Sequence, residues 1–189
     1  MIKKLTYSDI PQVVKIHRDE LHGFMSELGE KFLAKFYKVS LDIPEIFTLV
    51  EIENEQVLGF VTGTIRVKGL YKEVISRDVF SFIWLLLNNL VTHPQNIVKM
   101  AKTLTYPGFV DDIPELLTIA VEKDYRNRGI GKKLFLQTAK EFQKRGFKKF
   151  RVSVYDKLPA NDFYKKMGCR FEKSFLFQNE KMNYYTYKL

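Results

Sequence analysis

The chain has 189 residues, of which 46% are hydrophobic and 14% aromatic, enough material for one well-packed domain over residues 1–189. Lys and Arg number 31 against 22 Asp and Glu, a formal net charge of +9 that attracts polyanions: nucleic acid, an anionic membrane or a phosphate-rich cofactor. Cys169 is the single cysteine, which excludes an internal disulfide and a thiolate zinc site and points to the cytoplasm.

In chain order, Met1 to Thr6 reads as a short strand and not as a signal peptide, because no long apolar core follows Lys3 and Lys4. Ser8 or Asp9 then caps a helix in which Ile10, Val13, Val14, His17 and Leu21 share a face, with Pro11 in its first turn. A second helix is predicted from about Glu30 to Leu41, with Phe32, Leu33, Phe36 and Tyr37 as its apolar side. Strands at Ile46 to Ile52 and Val57 to Ile65 flank the polar turn Glu53-Asn54-Glu55-Gln56 and form an antiparallel hairpin.

Residues 66–112 are unusually apolar for a connection and read as a helical insertion between the third and fourth strands. Val79, Phe82, Ile83, Leu86, Leu87 and Leu90 are predicted to cover the core, with Ile97, Val98, Met100 and Leu104 continuing the layer after His93-Pro94. Asn88 and Asn89 break the apolar run short of the ~20 residues a bilayer span needs. A packed lid bordering the ligand site is therefore preferred to a membrane-docking surface.

Leu116 to Val121 is a buried strand, and Lys123 to Lys133 a basic loop running into a helix. Glycines at 129 and 131 permit a tight turn and close approach of a ligand. Successive backbone N–H groups and the positive helix end then form an anion cradle. Two familiar phosphate loops are excluded: Lys132 is followed by Lys133 where a Walker A loop needs Ser or Thr, and Leu134 stands where the dinucleotide fingerprint needs a third glycine. Ile130, Leu134, Phe135, Ala139 and Phe142 recur at helical spacing up to a stop at Arg145-Gly146. Phe150, Val152 and Val154 alternate with Arg151, Ser153 and Tyr155 as a strand. Pro159 opens a helix containing Phe163-Tyr164-Lys165-Lys166-Met167-Gly168, and Phe171 to Phe177 with Met182 to Tyr187 make a closing hairpin.

The pattern R-x-x-G-x-G from Arg126 to Gly131, then helix, strand and a helix bearing F-Y-x-x-x-G, resembles the GNAT N-acetyltransferases, closely from about Glu115 to Phe171 and loosely elsewhere. The resemblance implies an α/β GNAT fold with a mixed central sheet flanked by helices, and acetyl-CoA (coenzyme A) as cofactor. It implies that an amine attacks the acetyl thioester directly. The matching backbone positions are Val121, for the pantetheine amides, and Ile119, whose N–H would polarise the acetyl carbonyl. Arg126, Asn127, Arg128, Gly129, Ile130, Gly131 and Lys132 would hold the pyrophosphate, mainly through main-chain N–H groups; Lys132 and Lys133 are also placed to contact the 3′-phosphate.

Glu115, six residues before Val121, matches the general base of the histone-acetylating branch; a loop-ending glutamate after Pro114 is the equal alternative. An acceptor amine of pKa near ~10 arrives protonated and needs such a group. Tyr164 matches the family's tyrosine that protonates the departing thiolate, and Phe163 is assigned to the core. The family's asparagine seven residues before that tyrosine is Lys157 here, which puts a cofactor contact from the displaced Asn161 in doubt. His17, His22 and His93 lack ligand spacing and read as surface or packing residues, although His22 falls with Glu20 and Glu27 between the first two helices, where the resemblance implies that the acceptor enters; no metal is expected.

The resulting reading is an acyltransferase that moves acetyl from acetyl-CoA to a primary amine of a small molecule, an amino sugar or similar metabolite. Alternatives are acetylation of a protein N-terminus or lysine, a basic nucleic-acid-binding module, and a CoA-binding module without catalysis; the presence of both Glu115 and Tyr164 weighs against the last. Nucleic acid is not the expected partner. Peripheral membrane contact and a homodimer are left open.

Overall fold

The computed structural model describes residues 1–92, 113–177 and 179–189. Seven strands form one twisted sheet in the order β1-β2-β3-β4-β5-β7-β6, from β1 (Ile2–Lys4), β2 (Ile46–Glu53), β3 (Gln56–Thr64), β4 (Glu115–Val121), β5 (Lys149–Tyr155), β6 (Arg170–Phe177) and β7 (Glu180–Lys188). Every pairing is antiparallel except β4 with β5, which is parallel.

One face is covered by α1 (Ile10–Glu20) and α3 (Glu30–Ser40), joined by the short α2 (Phe24–Glu27), and by α4 (Leu70–Ser76) and α5 (Val79–Thr92) of the predicted insertion. The other is covered by α6 (Ile130–Lys144) and α7 (Ala160–Lys166). The central strands are sealed on both sides, and the period-two alternation sorts their side chains. Ile46, Val50 and Phe60 join the α1–α3 layer, whereas Phe47, Leu49 and Val61 join the α6 layer.

Local chemistry explains the boundaries. Asp9 stands just before α1 as expected, but its carboxylate turns back to accept from Thr6 N–H (2.9 Å) and Thr6 Oγ1 (2.6 Å), capping a preceding 3-10 turn at Tyr7–Asp9. The β2–β3 turn has left-handed Asn54 and Glu55 (φ 48° and 64°), the twist-matched geometry of a tight hairpin. Pro159 sits immediately before α7, at its cap and not inside it.

The insertion departs from expectation. Phe82 is fully buried and Leu85 and Leu86 pack beside it, but Val79, Ile83 and Leu87, predicted to cover the core, are 41%, 47% and 57% exposed. A helix without a charged residue has only a weak inner face of its own, so its neighbours choose one. Here α3 receives only a narrow stripe, with Phe82 edge-on to Phe32 at 5.4 Å between centroids. The predicted continuation at Ile97, Val98, Met100 and Leu104 lies outside the described residues.

Candidate active site

The sheet opens between β4 and β5. Their parallel pairing covers only Glu115 with Arg151 and Leu116 with Val152, and the strands then diverge. A register shift against Thr62/Gly63 leaves Leu117 as the extra residue of a bulge in β4. Leu116 joins the α6 layer and Leu117 the α1–α3 layer, with Ile119 and Ala120 again on opposite sides. Beyond the bulge, Glu122 N–H bonds Leu58 C=O at 2.9 Å. Ladder alternation therefore turns the even-numbered main-chain groups of β4 toward β3 and those of Ile119 and Val121 into the gap. A slot with strand-like donors and acceptors along one wall follows from one extra residue.

At the end of this slot lies the glycine loop. Gly129 has φ +78°, a conformation that strains any residue with a Cβ, and it caps α6. Lys133 N–H reaches back to Gly129 C=O at 3.0 Å, so the N–H groups of residues 129 to 132 have no partner within the helix and add to its positive end. Gly131 plays a different part. A Cβ there would lie 3.6 Å from Phe163 and 3.8 Å from Val121, an ordinary contact, so its missing side chain leaves the floor of the cradle low.

The two loop arginines act as braces. The Arg126 guanidinium pairs with Glu20 at the end of α1, its Nε donates to Val121 C=O at 3.3 Å, and Glu20 also accepts from Lys123 N–H at 2.9 Å. Arg128 donates to Asp124 C=O and stacks on the Tyr125 ring at 4.9 Å. Lys133 reaches toward Glu51 (3.6 Å), away from the cradle that Lys132 lines.

Slot and cradle are continuous with a cleft of about 850 Å³. Glu115, at the point where β4 and β5 part, lines it and is 5% exposed. Burial pushes its carboxyl up to about 7, against the opposing pull of a hydrogen bond from Ser153 Oγ (2.5 Å) and the Arg151 charge. Arg151 is itself buried, 3.4 Å from Glu172 and over the Tyr184 ring. Tyr164 also lines the cleft; burial foremost, then Cys169 and the Glu115 charge, raise its phenol well above the ordinary range, so it keeps its proton. Phe163 packs edge-on against Phe135 at 6.1 Å.

Asn161, displaced in sequence, is wholly engaged elsewhere. Its amide donates to the carbonyls of Tyr155, Asp156 and Leu158, and its oxygen accepts from Asn183 Nδ2 and Tyr185 Oη. It ties the β5–α7 corner to β7.

Sequence reasoning did not place His17 at the cleft. His17, read as packing, is buried in the cleft wall with Nδ1 2.7 Å from Tyr37 Oη and its ring stacked on Phe60. Burial lowers it to about 4, so it stays neutral. Its place on the apolar face of α1 was the available signal. Among the described residues, the insertion reaches the cleft through Val67, before α4, and Leu70 and Tyr71 at its start, and not through residues 79–91 as the lid reading expected.

Comparison with known proteins agrees with this geometry. Residues 81–170 match the model of the acetyltransferase (GNAT) domain. Among solved structures, ribosomal-protein-alanine N-acetyltransferase from Brucella melitensis superposes with TM-score 0.66 at 12% identity, over 100% of this chain and 99% of that one. An N-acetyltransferase from Staphylococcus aureus gives 0.65 at 13% identity, covering 100% and 97%. PaiA N-acetyltransferase from Thermoplasma acidophilum, in complex with coenzyme A, gives 0.62 at 15%, covering 99% and 98%. At these identities the likeness is one of fold. No curated protein sequence matches the chain.

Proposed function

We propose that the chain is a GNAT acetyltransferase with acetyl-CoA as its donor and that it acetylates a primary amine of a small-molecule acceptor, with Glu115 as general base and Tyr164 as general acid. The observation that carries the reading is the buried carboxyl of Glu115, held near neutrality, in the same cleft as the anion cradle.

The residues present fit the cofactor. Main-chain N–H groups of residues 129 to 132 offer a cradle for the pyrophosphate, and the gap-facing groups of Ile119 and Val121 suit an extended arm with amides. Arg126 and Arg128 stiffen the loop, and Lys132 adds positive charge beside it. Bound there, acetyl-CoA supplies an electrophilic acyl thioester and a thiol leaving group.

Glu115 and Tyr164 divide the proton work. With its pKa near 7, the Glu115 carboxylate accepts a proton from an acceptor ammonium more readily than a solvated glutamate would, and burial keeps competing water away. Ser153 Oγ orients the carboxylate, and Arg151 limits how far burial raises it. The Tyr164 hydroxyl, protonated at any working pH, is the reserve proton for the departing sulfur.

The acceptor side of the cleft is walled by Leu21, Met25, Tyr71, Phe177 and Met182 beside the polar His17 and His22. Such a wall suits an amine with an apolar part. Acetylation of a protein N-terminus or lysine is the second reading, favoured by the fold likeness to a ribosomal-protein-alanine N-acetyltransferase. A panel of small amines and peptide N-termini, read by release of free thiol, tests both. Turnover confined to peptides overturns the small-molecule acceptor, and no turnover of either overturns the transfer reading.

A further inference from the structure

Helix α5 presents a surface that the transfer chemistry does not use. No charged residue occurs from Val79 to Thr92. Phe82 is buried against Phe32, whereas Phe80, Ile83, Trp84, Leu87 and Val91 are 90%, 47%, 59%, 57% and 84% exposed. Steps of three and four residues align these five as one stripe along the helix, and none of them lines the cleft. A continuous apolar stripe of this length marks an interaction site more often than chance exposure.

Its dimensions and charge identify the occupant. Fourteen residues rise about 21 Å, short of the ~30 Å of a hydrocarbon core. No single helix among the described residues is long and apolar enough to cross a membrane, and α4 and α5 meet at 108°. The helix therefore suits lying along an interface, with the protein body as its polar side. Trp84 has an apolar ring and one N–H donor, the combination favoured at headgroup depth. The adjoining residues 66–78 carry Arg66, Lys68, Lys72 and Arg77 against Glu73 and Asp78 only, and the chain as a whole is +9. That excess draws it to anionic headgroups and opposes docking of a second, equally charged copy. The stripe's five side chains offer only the Trp84 indole for hydrogen bonding, poor material for a protein partner, whose interfaces carry about one hydrogen bond per 100–200 Å².

We propose that the exposed stripe of α5 docks the enzyme on an anionic lipid surface. The same helical pair supplies Leu70 and Tyr71 to the cleft, so docking ties the acceptor end of the site to the membrane.

Trp84 is the chain's only tryptophan, so intrinsic fluorescence reports from the stripe itself. The full chain is titrated with vesicles of phosphatidylserine in phosphatidylcholine, and with phosphatidylcholine alone. Docking predicts a blue shift of emission, quenching by lipids brominated on the acyl chain, co-flotation, and weakening in high salt or without phosphatidylserine. The double variant Phe80→Ser, Leu87→Ser should lower partitioning by about tenfold or more with an unchanged thermal midpoint, since both side chains are exposed. Emission already blue in buffer and unmoved by vesicles would mean that another part of the chain or a second copy covers the stripe, which overturns the proposal. Flotation that survives the double substitution also overturns it, because attraction would then lie in surface charge elsewhere.

Discussion

Glu115→Gln separates base catalysis from packing, because the same burial that prepares the carboxylate costs stability. The carboxyl stands at about 7 in the fold against 4.5 unperturbed. The folded-state pKa is raised, so this group's stabilising contribution is fully present below pH 4.5 and is lost as pH rises through about 7. At about 1.36 kcal/mol per unit, the ionised form costs the fold up to about 3 kcal/mol at alkaline pH. Glutamine keeps the shape and never ionises. Thermal melts across this range should therefore show the variant gaining on the parent between pH 4.5 and 7 and holding its advantage above. Turnover should move the other way. The parent's kcat/KM rises through an inflection near 7 that the variant lacks, and the variant's deficit shrinks as pH approaches the acceptor's own pKa near ~10. A variant less stable than the parent at alkaline pH would show that Ser153 and Arg151 outweigh desolvation, and a deficit uniform across pH would leave Glu115 a positioning residue.

Tyr164→Phe keeps the buried ring and removes the proton, so turnover should fall about a hundred- to ten-thousand-fold at an unchanged melting temperature; a rate within about twofold of the parent makes the tyrosine packing only. Gly129→Glu places a carboxylate and a strained left-handed residue at the cradle, and calorimetry should show CoA binding lost, whereas unchanged affinity refutes the cradle. Within the insertion, Phe82→Ala should cost about 3 to 5 kcal/mol while Phe80→Ala stays within about 0.5 kcal/mol. Equal losses in chemical denaturation would refute the assigned inner face of α5.

The legible features were those that depend on a few neighbouring residues. Periodicity marked α1, α3, α6 and β5, the turn residues at 53–56 marked the β2–β3 hairpin, and the spacing from Arg126 to Gly131 marked the glycine loop that opens α6, because helix faces, tight turns and glycine loops are settled within one or two turns of chain. Glu115 and Tyr164 were nameable by spacing, and a carboxylate beside an apolar strand already suggested a pKa raised by desolvation, yet nothing local told that both side chains would line one cleft or that Ser153 and Arg151, from a distant segment, would oppose the upward pull of burial. The bulge at Leu117 was likewise invisible: it arises from the mismatch of β4 against β3, and it alone turns the Ile119 and Val121 main chain toward an open edge. The inner face of α5 was undetermined for the opposite reason, since fourteen residues without a charge carry only a weak preference of their own. Only the groove beside Phe32 decided that Phe82 goes in and Phe80, Trp84 and Leu87 stay out.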